Sequence, residues 1–153
     1  MVNQHPLPEE GVREPSGAIA LSVTAHMVMG RTRTVPVTVR FSYDRLEPFT
    51  MLLELPWPDG SGSARWSFAR DLLQSGLHRA SGEGDVRIWP PCRCNDRPDA
   101  RLFLRDRTGS VLLDVPSQPL REWLVRTWVA VPPGEENQWI DWDVLVGRLL
   151  DGR

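Results

Sequence analysis

Lysine is absent from this chain: all eighteen basic residues among its 153 are arginines, set against twenty acidic residues. An arginine-only set favours planar, bidentate contacts with carboxylates. It offers no ammonium for Schiff-base chemistry or for a Walker-type phosphate contact, so several enzyme classes drop out. Coding bias in a GC-rich genome would give the same composition. The net charge of −2 and the pI near 5.9 leave no broadly basic footprint for nucleic acid. No apolar run approaches the ~18 residues of a membrane span. The opening residues, MVNQHPLPEEGVREPSG, contain acids and three prolines but no basic cluster followed by an apolar core. They do not read as a secretory signal, and the expected compartment is the cytoplasm.

Cysteine is also scarce. Cys92 and Cys94 stand one residue apart in a polar loop. A bridge between them would close a very small ring, and zinc needs about four ligands, so free thiols are expected.

The 17.4 kDa chain fits one domain that buries roughly 70% of the surface of its unfolded form. Residues 1–17 lack periodicity and are rich in Pro, Glu and Gly, which predicts a disordered tail ahead of a single domain over 18–153. Alternation then predicts strands. Leu21, Val23, Ala25, Met27 and Met29 share one face over residues 18–29; Val35, Val37, Val39, Phe41 and Tyr43 share another over 35–43. Pro36 lacks a backbone donor, so the second strand must begin or have an edge there. Further strands are predicted at 49–55, 64–68, 86–89, 102–105 and 111–115.

Helix signals interrupt and follow these strands. Residues 69–75 predict a short helix, with Gly76 expected as a left-handed C-cap. Ser117 is expected to cap a second helix that carries Leu120, Trp123, Leu124 and Trp128 on one stripe. VPPG ends it, and a last helix is expected to turn Trp142, Leu145, Val146, Leu149 and Leu150 toward the core. About seven strands, one short internal helix and two C-terminal helices make an α+β domain.

No catalytic, metal or cofactor constellation emerges. Gly82 and Gly84 lie in SGEGD, which leads into a strand rather than opening a helix, so a tight turn explains them better than a phosphate cradle. His78, Ser81 and Asp71 have the letters of a triad without its context. Arg93, Arg97, Arg101, Arg105 and Arg107 lie near Trp89 and Phe103, a mixture that suits single-stranded nucleic acid, but Asp96, Asp99 and Asp106 are interleaved. A solvated, ion-paired surface is the better account. Trp57 and Trp139 fall in turns, where each either anchors a partner or folds over the rim of the core.

Several of these stretches carry a resemblance. FARDLL..GLHR..G.GDVRIWP (residues 68–90) is similar to the signature segment of the SsgA-like (SsgB-type) sporulation and cell division proteins of filamentous actinomycetes. VPVTVRFSYDRLEPF, GSVLLDVP, PLREWLVRTWVAVPPGEE and IDWDVLVGRLL resemble the same family in order and spacing, so nearly all of residues 19–150 are covered. The resemblance implies a barrel-like antiparallel sheet, similar to whirly single-stranded nucleic-acid binders, assembled as a trimer. It implies a non-enzymatic protein without cofactors, located at the cell septum, that recruits or organises the tubulin-like protein FtsZ or other septal or SsgA-like proteins. A whirly-like single-strand binder is the alternative. Partner-contact candidates are Trp57, Arg70, Asp71, His78, Arg79, Asp85, Gly134 and Trp139; of these, Arg70, Asp71, His78, Arg79 and Asp85 either face a partner or tie the short helix to the following strand. The tail and the PPCRCNDRPDA loop depart from the family pattern.

Overall fold

The computed structural model describes residues 18–92, 97–139 and 142–151. Seven strands form one antiparallel sheet: β1 (Ala18–Met29), β2 (Arg33–Asp44), β3 (Thr50–Pro56), β4 (Ser63–Ala69), β5 (Val86–Trp89), β6 (Asp99–Asp106) and β7 (Gly109–Pro116). Their spatial order is β4-β3-β2-β1-β7-β6-β5, so β4 and β5 are the edges. The sheet curls into a half-barrel that brings these edges toward each other, and the Trp66 indole of β4 donates to the Arg105 carbonyl of β6 across the opening at 3.1 Å. Helix α1 (Arg70–Gly76) bridges β4 to β5, α2 (Ser117–Ala130) follows β7, and a 3-10 turn (Glu136–Trp139) precedes α3 (Trp142–Asp151).

The alternation read from the sequence sets which face is inward. Val39, Phe41 and Tyr43 of β2 are buried in one core cluster with Leu53 of β3, Leu102 and Leu104 of β6 and Leu113 of β7. β2 pairs with β1 along its full length but with β3 only at Arg40–Ser42. Pro36 therefore has an unpaired side, where its missing N–H costs no ladder bond. α2 closes the core with Leu120, Trp123 and Leu124. Trp123 packs on Phe41 with ring centroids 5.9 Å apart and donates its indole N–H to the Ile19 carbonyl at 3.2 Å, holding the helix over the start of β1.

Four expectations are corrected. Gly76 is not a left-handed cap. It is the last residue of α1, ahead of Leu77 at the cap, and a Cβ placed on it would stand 2.4 Å from the Cβ of Ile88 in β5, so glycine is needed there for close approach. Ser117 does not cap α2; Pro116 holds the cap position, and the Ser117 hydroxyl donates to the Pro98 carbonyl at 2.7 Å. In α3, Val146, Leu149 and Leu150 are not turned to the core but are 50–72% exposed, and the side chains of Trp142 and Leu145 lie outside the described residues. Finally, Cys92 carries no free thiol but is disulfide-bonded. Cys92 and Arg97 exchange backbone hydrogen bonds at 3.0 and 3.1 Å, a chain reversal that the spacing did not reveal. Cys94 is the chain's other cysteine and lies outside the described residues.

Candidate interaction surface

The eight contact candidates divide between one buried clasp and several exposed positions. Arg70 opens α1 yet is only 1% exposed, which corrects its assignment to a partner-facing surface. Its Nη1 donates to the carbonyls of Thr127 (3.2 Å) and Val131 (2.8 Å), the last turn of α2 and the residue after it. Its Nη2 donates to Glu136 Oε1 at 2.9 Å, and its guanidinium lies 4.8 Å from the centre of the Tyr43 ring. The other carboxylate oxygen, Glu136 Oε2, accepts from Gly134 N–H at 2.8 Å. Tyr43 in turn donates its hydroxyl to the Pro48 carbonyl at 2.9 Å.

One arginine thus ties the start of α1 to the end of α2, the Pro-Pro-Gly break and the 3-10 turn. Orphan carbonyls at a helix end need such partners, and the planar fork of arginine supplies several donors at fixed angles. Gly134 has φ +89°, in the left-handed region that favours glycine, and that turn places its N–H on Glu136. Glu136, Tyr43 and Thr127 were missed in the sequence. The only available signal was a Glu pair just after Pro-Pro-Gly.

Burial works against the Glu136 carboxylate, but backbone N–H groups, including that of Gly134, and Arg70 outweigh it and hold its carboxyl below the ordinary glutamate value. Burial pushes the Tyr43 hydroxyl above its ordinary value, with Arg70 opposing. A depressed carboxyl stabilises the fold above the ordinary value, and that contribution is lost as pH falls toward the folded value. A raised hydroxyl stabilises the fold below its ordinary value, and that contribution is lost as pH rises past it. Urea midpoints should therefore fall on both the acid and the alkaline side. Glu136→Gln is expected to flatten the acid limb and Tyr43→Phe the alkaline limb, each measured against wild type.

The remaining candidates stand apart. Asp71 is exposed in the first turn of α1. His78 and Arg79 are exposed just beyond that helix, with His78 Nδ1 2.9 Å from the Gln74 carbonyl. Asp85 is exposed and pairs with Arg105 at 3.3 Å. Trp57, in the β3–β4 turn, is 42% exposed. It joins Leu55, Trp66 and the β6–β7 turn in lining a depression of about 200 Å³. Trp139 closes the 3-10 turn; its side chain lies outside the described residues.

Three of the five arginines suspected of contacting nucleic acid, Arg97, Arg101 and Arg105, are paired within the fold, and Arg107 is exposed. Arg101 makes a bidentate pair with Asp114 at 2.8 and 3.0 Å, which holds the arginine more firmly protonated than usual. Arg105 pairs with Asp85, and Arg97 donates to the Pro90 carbonyl at 3.2 Å. Arg93 lies outside the described residues. Among the described residues no cluster of three His, Cys, Asp or Glu side chains is placed to hold a metal ion, and no helix is long and apolar enough to cross a membrane.

The curled sheet with its helices is shared with solved cell-division proteins. The structure of SsgB from Streptomyces coelicolor, described with mutations that correlate with longitudinal cell division during sporulation, superposes with a TM-score of 0.73 at 32% identity. The match covers 80% of this chain and 95% of that one. An SsgA-like sporulation-specific cell division protein from Thermobifida fusca also superposes with a TM-score of 0.73, at 31% identity over 86% and 94% of the two chains. The half-barrel therefore places the molecule in the SsgA-like structural class.

Sequence comparison gives the family. Residues 37–136 match the family model described as "Streptomyces sporulation and cell division protein, SsgA", and the chain belongs to that family. It is 33% identical over 132 residues to the sporulation-specific cell division protein SsgB of Streptomyces coelicolor, spanning 86% of this chain and 95% of SsgB. It is 35% identical over 137 residues to SsgB of Salinispora tropica, spanning 88% and 94%.

Proposed function

We propose that this protein serves sporulation-linked cell division as a non-enzymatic adaptor. It acts at the septum and brings FtsZ, or another septal or SsgA-like protein, into place through protein contacts. The observation that carries this reading is similarity to SsgB proteins over nearly their whole length. The distribution of side chains is consistent with it. Asp71, His78, Arg79 and Asp85 sit around α1 and its connection to β5, and Trp57 offers a half-exposed ring beside a shallow depression. A large aromatic on a rim can supply much of a contact's energy. A homotrimer, which the family resemblance implies, would present such contacts in three copies.

Co-sedimentation with FtsZ polymers tests the reading. Wild-type chain is expected in the pellet above a polymer-free control. Trp57→Ala, or His78→Ala with Arg79→Ala, is expected to weaken binding roughly 30-fold, the effect of losing a ~2 kcal/mol contact, with the urea midpoint unchanged. Absence of the chain from pellets of FtsZ and of related family members defeats the proposal. Salt-sensitive binding to oligonucleotides in its place would favour the single-strand reading.

A further inference from the structure

The outer face of α2 carries an apolar groove that the clasp does not use. Val129 is 79% exposed and Val125 51% exposed on successive turns. With Ala130, Ile19, Arg45 and Arg126 they line a groove of about 420 Å³. Among the described residues its lining has two arginines and no acid. Ile19 is the second residue of β1, so the chain enters the fold, at Ala18, on the rim of this groove.

The segment that arrives there has matching chemistry. Residues 1–17 carry three glutamates, Glu9, Glu10 and Glu14, against one basic side chain, Arg13, and place Val12 among them. Val12 stands six positions before Ala18, a reach of up to about 20 Å, ample to return over one or two turns of α2. We propose that this N-terminal segment folds back on its own domain. Val12 lies against Val125 and Val129, and Glu9, Glu10 and Glu14 face the Arg45 and Arg126 side of the groove.

The tether makes weak complementarity sufficient, since a short linker raises the effective concentration to the order of millimolar. Docking in place of an unattached tail would shield two exposed valines from solvent and from other proteins. The segment would then compete with any partner that uses this face of α2, without touching the Arg70 clasp.

Photo-crosslinking of the full chain decides the matter. With p-benzoylphenylalanine in place of Val129, the expected product joins position 129 to residues 1–17 of the same chain. Its yield should be independent of protein concentration, and a mixture of light and heavy isotope-labelled chains should give no mixed species. A probe replacing Val125 should give the same product, and one replacing the exposed Arg87 on β5 should not. Adding Arg126→Glu should lower the yield about fivefold, the scale of one exposed ion pair. Glu9→Arg with Glu10→Arg in that background should restore it. Light–heavy cross-links would assign the groove to a second copy and overturn the proposal. So would tail cross-links no more abundant than those from the Arg87 probe.

Discussion

Replacing Arg70 by methionine is expected to lower the unfolding free energy by about 3–5 kcal/mol, the scale for breaking one side of a buried ion pair. Methionine fills much of the arginine's volume, so the loss comes mainly from stranded polar groups rather than from a cavity. The Glu136 carboxylate would keep its backbone N–H partners, that of Gly134 among them, but lose the guanidinium; the Val131 carbonyl would lose its Arg70 donor, and the Thr127 carbonyl would be left with the Val131 N–H. Arg70→Lys separates charge from geometry. An ammonium keeps the ion pair with Glu136, but a single nitrogen cannot reproduce a fork that serves three acceptors and lies beside the Tyr43 ring. The lysine variant is therefore expected to lose about half as much as methionine. The double change Arg70→Met with Glu136→Leu should recover part of the single-variant loss but not all, because the Val131 carbonyl and the Gly134 N–H lose their side-chain partners. Urea unfolding of the four proteins measures each value. A loss below 1 kcal/mol for Arg70→Met would mean that the clasp does not hold the end of α2.

Gly76→Ala should destabilise, against the ordinary preference of a helix for alanine. Alanine in place of glycine inside a helix normally gains up to about 1 kcal/mol. Here the new Cβ would stand 2.4 Å from both Cβ and Cγ2 of Ile88, far inside the ~3.5–4.0 Å of ordinary carbon contact. α1 must then move off β5, at about 1–3 kcal/mol for overpacking and more for Gly76→Val. Ile88→Ala removes Cγ2 but keeps Cβ, so it should relieve only part of the clash in a double-mutant cycle. Gly147, also within a helix, has nothing within 4 Å of the same position. Gly147→Ala should therefore show the opposite sign and gain up to about 1 kcal/mol. Thermal or urea unfolding of the pair distinguishes packing from propensity.

Both sites explain why some of this fold can be read from residue order and some cannot. A strand face repeats every second residue whatever it meets, so Val39, Phe41 and Tyr43 announce their burial locally, and β5 is legible to its last residue, Trp89. Arg70 sends no such signal. An arginine in a first helical turn reads as surface, and the acceptors that bury it lie 57 to 66 residues away. Gly76 looks like a helix stop because its true constraint is a side chain twelve positions later on another strand. The row Val146, Leu149 and Leu150 has the spacing of a core stripe, but periodicity reports only that a face is apolar and not what covers it. Ser117 has the identity of a cap, yet the sheet offers its hydroxyl the Pro98 carbonyl instead. Among the contact candidates, Arg70, Asp71, His78, Arg79 and Asp85 stand out in the sequence as polar residues that packing does not explain, and Trp57 and Trp139 as aromatics in turns. The structure removes Arg70 from that surface and leaves Trp57, Asp71, His78, Arg79 and Asp85 exposed.

The central claim is that the exposed side chains, and no reaction, carry this protein's part in division. The direct measurement is fluorescence microscopy of a tagged chain in sporulating hyphae of its host that lack the native copy. Wild-type chain is expected at septation sites together with FtsZ. A folded variant carrying Trp57→Ala, His78→Ala and Arg79→Ala is expected to be diffuse at the same abundance. Diffuse wild-type chain at every stage, or a triple variant that localises and divides like wild type, would contradict the account.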